Sequence, residues 1–122
     1  VSLSGGPYPT PGQLTDGTTL FVDLTEEGEL LPYAHLLGVG VRHERRPIRD
    51  WGVPTVEEMT AILDLIDDAL SRGEVVYVHC RAARGRTPTV LGCHRKRHGL
   101  EPGRAPETEE QQAFVTRWPE GL

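Results

Sequence analysis

Two hydrophobic periods alternate along the chain. Thr19-Leu20-Phe21-Val22-Asp23-Leu24 and Val75-Val76-Tyr77-Val78 are short apolar runs bounded by breakers, the pattern of strands buried on both faces of a parallel sheet. Between them, Val56, Met59, Ile62, Leu63, Ile66 and Leu70 recur at helical spacing. Thr55-Val56-Glu57-Glu58 opens that stretch as a capping box, so a helix is predicted to about Arg72, with Gly73 as its stop and the apolar stripe as core. Val39 to Ile48 has the partial alternation of a strand and delivers the chain to a turn-rich loop, Arg49-Asp50-Trp51-Gly52-Val53-Pro54. Leu30 to Gly40 is ambiguous, with Tyr33, Ala34, Leu36 and Leu37 compatible with a short helix.

A further helix is predicted from Thr87 to His98, with Pro88 in its first turn and Gly99 after its end. Val90, Leu91 and Cys93 would pack inward, and Arg95, Lys96, Arg97 and His98 would complement the helix dipole. Thr108-Glu109-Glu110-Gln111 is another capping box, opening a terminal helix that packs Phe114, Val115 and Trp118 and ends at Pro119. Val1 to Gly17, rich in glycine and proline, reads as an extended, turn-rich entry. The sum is an α/β fold, a small and mainly parallel sheet flanked by helices, in a single domain spanning residues 1–122.

Charge sharpens the picture. The chain of 122 residues has a formal net charge of -5, which argues against bulk binding of nucleic acid. Yet residues 81 to 98 carry only basic charges, whereas Glu57, Glu58, Asp64, Asp67, Asp68 and Glu74 make the preceding segment acidic. A basic pocket on an acidic body suits a small anionic substrate. Two cysteines, Cys80 and Cys93, make no disulfide framework, and no apolar stretch is long enough for a membrane span or a signal-peptide core. A reducing cytoplasm is the expected location.

The chemistry is concentrated after the second apolar run, in His79-Cys80-Arg81-Ala82-Ala83-Arg84-Gly85-Arg86-Thr87-Pro88. A loop between a central strand and a helix N-terminus can converge its backbone N–H groups on one anion, which the helix dipole also favours. Cys80 sits at the base of that loop, among His79, Arg81, Arg84 and Arg86, surroundings that stabilise a thiolate. A thiolate facing a bound oxyanion is a nucleophile aimed at phosphorus or sulfur. Arg86, read as standing at the rim, has the planar fork that pairs bidentately with phosphate oxygens.

The order His-Cys, five residues, Arg-Thr, on strand, loop and helix, resembles the signature of the cysteine-dependent protein tyrosine and dual-specificity phosphatases, in particular compact bacterial members. The resemblance implies a phosphatase phosphate-binding loop and a phosphomonoester hydrolase acting on phosphotyrosine, with phosphoserine and phosphothreonine also admitted if the cleft is shallow. It implies a phosphocysteine on Cys80, with substrate oxygens held by Arg86 and by the loop residues Arg81, Ala82, Ala83, Arg84 and Gly85. Thr87 would aid departure of the thiolate, and His79 would orient the cysteine. Asp50, in a loop about thirty residues before Cys80, is placed like the family's general acid, with Asp23 and Asp16 as rivals. Glu26, Glu27 and Glu29 read as loop decoration, the alternative being that Glu29 or Glu26 braces an active-site arginine. Cys93 reads as a buried small hydrophobe or, alternatively, a redox partner of Cys80.

The resemblance calls for neither metal nor organic cofactor, and for phosphorylated protein or a small phosphomonoester as partner, with inhibition by phosphate-like oxyanions. Two residues depart from the family pattern: Ala83 and Pro88 stand where glycine is usual. A positive φ at Ala83 would cost on the order of 1 kcal/mol. Arg81 and Arg84 are similar to the basic loop of phosphatase-and-tensin type lipid phosphatases, which makes a phosphoinositide or inositol phosphate the second substrate class. A rhodanese-like sulfurtransferase and a phosphate-binding pseudophosphatase complete the alternatives.

Overall fold

The computed structural model describes residues 2–122. Strands Leu3–Gly6 (β1), Leu20–Asp23 (β2), Arg42–Arg45 (β3) and Val76–His79 (β4) form one sheet in the order β1-β4-β2-β3, every pairing parallel. Helices Val56–Ser71 (α1), Arg86–Arg97 (α2) and Glu109–Arg117 (α3) accompany the sheet. The register places Gly6, His79, Asp23 and Arg45 side by side at the carboxyl ends of the strands, the edge at which open α/β sheets hold ligands.

The period-two alternation of the central strands divides the interior. Leu20, Val22, Val76 and Val78 face the helices and join Met59, Ile62, Leu63 and Ile66 of α1, Val90 and Cys93 of α2, and Val115 of α3 in one apolar cluster. Phe21 and Tyr77 point the other way into a thinner layer closed by Tyr33, with ring centroids 5.6 and 6.1 Å apart in edge-to-face contacts. Helices therefore cover one face of the sheet and loops the other. Among the described residues no helix is long and apolar enough to cross a membrane.

Several elements differ from the sequence expectation. Leu3–Gly6 is a strand, which its Leu-Ser-Gly-Gly sequence does not announce; pairing with β4 makes it one. Gly5 is required there, since a Cβ would lie 2.6 Å from Leu91 Cδ1 and 2.8 Å from Thr87 Cγ2. Pro11–Thr15 forms a 3-10 turn closed by a Thr10–Gln13 capping box. The ambiguous segment yields only the 3-10 turn Ala34–Leu36, and the strand expected over Val39 to Ile48 shrinks to Arg42–Arg45 between Gly40, at φ 82°, and Pro47. Val56, expected in the core, is 55% exposed, and the buried stripe of α1 begins at Met59. The basic end of α2 caps neighbours as well as its own helix: Lys96 Nζ donates to the Val115 and Thr116 carbonyls of α3 at 2.9 Å each.

Candidate active site

His79 ends β4 and Cys80 opens the loop that runs to Gly85, the N-cap of α2. Its N-cap glycine makes no side-chain cap bond, so amides of the first turn are left to a ligand or solvent. Gly85 is packed against α3: a Cβ there would lie 2.7 Å from Gln111 Oε1. The Tyr8 amide donates to the Arg81 carbonyl at 3.2 Å, tying the loop to the chain that leaves β1. Ala83 has φ 64°. The positive φ foreseen as a cost is thus present, and the methyl group is strained where glycine would not be.

Cys80 is buried, and its sulfur accepts a hydrogen bond from the Thr87 hydroxyl at 3.1 Å. Asp50, Trp51, Cys80, Arg81, Arg84 and Arg86 border one cavity of about 170 Å³, with Ala82, Gly85, Glu107 and Gln111 completing its wall. Ala83, expected on this wall, instead lines a separate cavity with Gly5, Thr87 and Leu91 on the other side of the loop. Cys93 is a separate free cysteine in the core, where burial pushes its thiol up to about 12.

Arg86 does not stand at the rim. As the first residue of α2 it is drawn under the loop and is 2% exposed. Its Nη1 donates to Glu29 Oε1 at 2.9 Å and to the Ile48 carbonyl at 2.9 Å, and its Nη2 to Glu29 Oε2 at 2.7 Å. This two-pronged pair makes Glu29 the brace that the sequence held only as an alternative. The bond from Arg86, aided by the backbone, outweighs burial and holds the Glu29 carboxyl down at about 2. Burial opposes the charge on Arg86, but Glu29 more than offsets it and moves the guanidinium further above its usual range. Asp50 Oδ1 lies 3.3 Å from Arg86 Nη2 with its side chain 48% exposed.

Asp50 is set by a strained turn. Trp51 has φ 69°, a genuine outlier for a bulky side chain, and its amide donates to Asp50 Oδ1 at 3.1 Å. The Trp51 ring is exposed and borders the cavity rather than packing into the core. Gln111 holds this turn from α3: its Nε2 donates to the Gly52 carbonyl at 3.1 Å while its Oε1 accepts from the Thr108 amide at 3.1 Å. The sequence showed only the capping half of that arrangement. Glu107, also on the wall, gave no signal at all.

Beneath the cysteine, His79 is fully buried. Its Nδ1 faces the Cys80 carbonyl at 3.3 Å, and a carbonyl only accepts, so the proton is assigned to Nδ1 and Nε2 accepts from the Tyr33 hydroxyl at 2.6 Å. Burial lowers the His79 pKa, against the pull of Asp23, whose Oδ1 is 4.0 Å away. Asp23, the rival acid, is 2% exposed and already committed: it accepts from Thr25 at 2.5 Å and faces His43 at 2.8 Å. Burial alone would raise its carboxyl, but those bonds hold it far below the carboxylate range.

A buried cysteine on a loop between a central parallel strand and a helix, with an arginine at the start of that helix, defines a cysteine-loop phosphatase fold. A family model described as "Tc-R-P: Polymorphic toxin system, DSP-PTPase phosphatase" matches residues 13–100, and the chain belongs to this family. That places it in the dual-specificity and tyrosine phosphatase superfamily, apart from the sulfurtransferase alternative. The crystal structure of Tk-PTP in the active form superposes with a TM-score of 0.80 at 26% identity, covering 100% of this chain and 94% of that one. The uncharacterized protein MJECL20 of Methanocaldococcus jannaschii is 40% identical over 82 residues, 59% of this chain and 56% of that protein. The phosphatidylglycerophosphate phosphatase PTPMT1 of Arabidopsis thaliana is 29% identical over 102 residues, 80% of this chain and 30% of that protein. The chain spans about half the length, or less, of these curated relatives.

Proposed function

We propose that residues 2–122 act as one catalytic domain that hydrolyses phosphomonoesters, phosphotyrosine first and phosphoserine or phosphothreonine beside it, through a phosphocysteine. The observation that carries this reading is the Cys80 sulfur, held at 3.1 Å by Thr87, at the base of a cavity that Asp50 and Arg86 also border. The Cys80 thiolate attacks phosphorus in line, forming S–P as the bond to the leaving oxygen breaks. Asp50 gives that oxygen its proton. Arg86 and the loop amides from Arg81 onward hold the three equatorial oxygens, with Glu29 fixing the guanidinium from the far side. Asp50, now a base, takes a proton from water as the water attacks phosphorus and the S–P bond breaks; the Thr87 hydroxyl receives the returning charge on sulfur. His79 positions Cys80 through the carbonyl contact.

The cavity, at about 170 Å³, is smaller than the ~300–1,000 Å³ of drug-sized pockets. It suits a phosphoryl group with the rest of the substrate outside, which supports broad specificity, and the exposed Trp51 ring offers a wall for an aryl group. A second reading, a phosphoinositide or inositol phosphate substrate, rests on Arg81 and Arg84 at the same cavity. The similarity to a plant phosphatidylglycerophosphate phosphatase supports a lipid-borne phosphate in general, without bearing on the inositol ring.

The test is turnover of a phosphotyrosine peptide, an aryl phosphate and an inositol polyphosphate by the wild type and by Cys80→Ser and Asp50→Asn. Cys80→Ser should abolish all turnover, and Asp50→Asn should cost ~10²–10⁴-fold, most on poor leaving groups. Vanadate should compete with substrate. Retained hydrolysis in Cys80→Ser would overturn the mechanism, and binding without any turnover by the wild type would make the protein a phosphate-binding pseudophosphatase.

A further inference from the structure

Away from the cysteine loop, at the opposite end of α2, three side chains converge from two helices. His94 and His98 lie one turn apart on the same face of α2, the i, i+4 spacing that lets two imidazoles share one ligand. Asp67 reaches them from α1. His94 Nε2 is 2.7 Å from Asp67 Oδ1, and His98 Nε2 is 3.0 Å from the same oxygen. The three donor atoms all lie within 4.8 Å of one another. Arg97 Nη1 holds Asp67 Oδ2 at 3.1 Å and Asp64 Oδ1 at 3.0 Å.

We propose that Asp67, His94 and His98 form a zinc-class divalent cation site that pins α1 to the C-terminal half of α2. Zn²⁺ takes imidazole nitrogen at about 2.0–2.1 Å and carboxylate oxygen at about 2.0–2.2 Å, which in a tetrahedron separates ligand atoms by about 3.4 Å. The two Nε2–Oδ1 separations, 2.7 and 3.0 Å, need to widen by less than about 1 Å to admit the ion. Each neutral imidazole then carries its proton on Nδ1 and presents the Nε2 lone pair. Three protein ligands leave one position for water, and a mixed nitrogen and oxygen set selects the zinc end of the first-row series over Mg²⁺ or Ca²⁺.

The charge balance favours a cation. Among the described residues Arg97 is the one arginine or lysine paired with Asp64 and Asp67, and the C-terminal end of α2 adds the negative pole of its dipole. Arg97 donates to the second carboxylate oxygen, which His98 Nε2 also approaches at 3.1 Å, and so holds the Asp67 carboxylate against the imidazoles as an outer partner does in built metal sites. His94 is buried whereas His98 is exposed, so the site opens to solvent on one side and the ion has an entry path.

The experiment uses the Cys80→Ser protein, which removes the cavity-lining thiol as a competing ligand, titrated with Zn²⁺ alone against a chromophoric chelator. One equivalent should bind, and His98→Ala, a change at an exposed position, should weaken binding at least ~10-fold. Far-UV circular dichroism checks that this variant is folded. Saturating Zn²⁺ should raise the melting temperature of the parent by several degrees and leave that of the His98→Ala protein unmoved. Co²⁺ should give a tetrahedral ligand-field spectrum that His98→Ala abolishes. Absence of binding below about 100 μM, a level at which no useful occupancy results, or equal binding with and without His98, would overturn the site and show a hydrogen-bonded cluster only. The proposal does not rest on the phosphatase mechanism, which each outcome leaves untouched.

Discussion

Glu29 grips the guanidinium of Arg86 through both carboxylate oxygens, at 2.9 and 2.7 Å, with Arg86 almost completely buried. The pair joins the loop after β2 to the first residue of α2 and fixes the direction in which the arginine presents its remaining donors. Removing Glu29 leaves the almost buried Arg86 charge with only the half-exposed Asp50, at 3.3 Å, to balance it. Glu29→Gln is therefore expected to cost about 3 kcal/mol of stability, as for other half-broken buried ion pairs, and to lower kcat/KM. Urea denaturation together with steady-state kinetics measures both.

The same pair sets an acid dependence. The Glu29 carboxyl lies at about 2 in the folded protein, from an ordinary 4.5. Because the folded value is the lower one, the unfolded chain binds the proton first. The stabilisation from Glu29 is complete above about pH 4.5 and is lost as pH falls through about 2. The wild type should lose stability across that window, and Glu29→Gln should show a shallower loss. Equal slopes in the two proteins would mean that the pair does not carry the effect.

Thr87 donates to the Cys80 sulfur at 3.1 Å and lies 3.3 Å from the Gly6 carbonyl. A hydrogen bond to a charged group contributes about 1.5–3 kcal/mol. Thr87→Val should therefore slow turnover by ~10–100-fold, with phosphocysteine accumulating because departure of sulfur suffers most. Thr87→Ser should restore most of the rate. Rapid-quench detection of phosphoenzyme distinguishes this from a loss of substrate binding.

Ala83 holds a φ of 64°, where an L-residue pays about 1–2 kcal/mol. Ala83→Gly relieves that strain but gives the unfolded chain more freedom, worth about 0.4–1 kcal/mol in the other direction. A net gain of roughly 0.5–1 kcal/mol is expected, read as an upward shift of the urea midpoint at unchanged m-value.

Gln111 bridges α3 and the turn that carries Asp50. Gln111→Ala leaves the Gly52 carbonyl and the Thr108 amide without their partner, a cost of about 1–3 kcal/mol. With the turn released, kcat should fall by ~10-fold or more while KM changes little, since misplacement of an acid affects the transition state more than substrate binding. A proportional rise in KM would instead assign Gln111 to substrate contact.

The elements that the chain announced are those whose cause is local. The α1 stripe from Met59 to Ile66 and its Thr55 capping box, the β4 run and the start of α2 all follow from residues within a few positions of each other. So does the placement of Cys80 beneath a helix N-terminus. Leu3–Gly6 carries no such local signal, since Ser4, Gly5 and Gly6 favour no strand by themselves, and only pairing with β4 makes one.

By itself the sequence determined an α/β chain with a thiol and an arginine on an anion-binding loop, because turn chemistry, helix capping and hydrophobic period act over short separations. Tertiary structure alone decided what supports that loop. Glu29 meets Arg86 across 57 positions, Gln111 meets Gly52 across 59, and Tyr33 meets His79 across 46. Such partners are chosen by how strands and helices stack and by the need to pair every buried charge and polar atom, conditions that exist only once the chain has closed on itself.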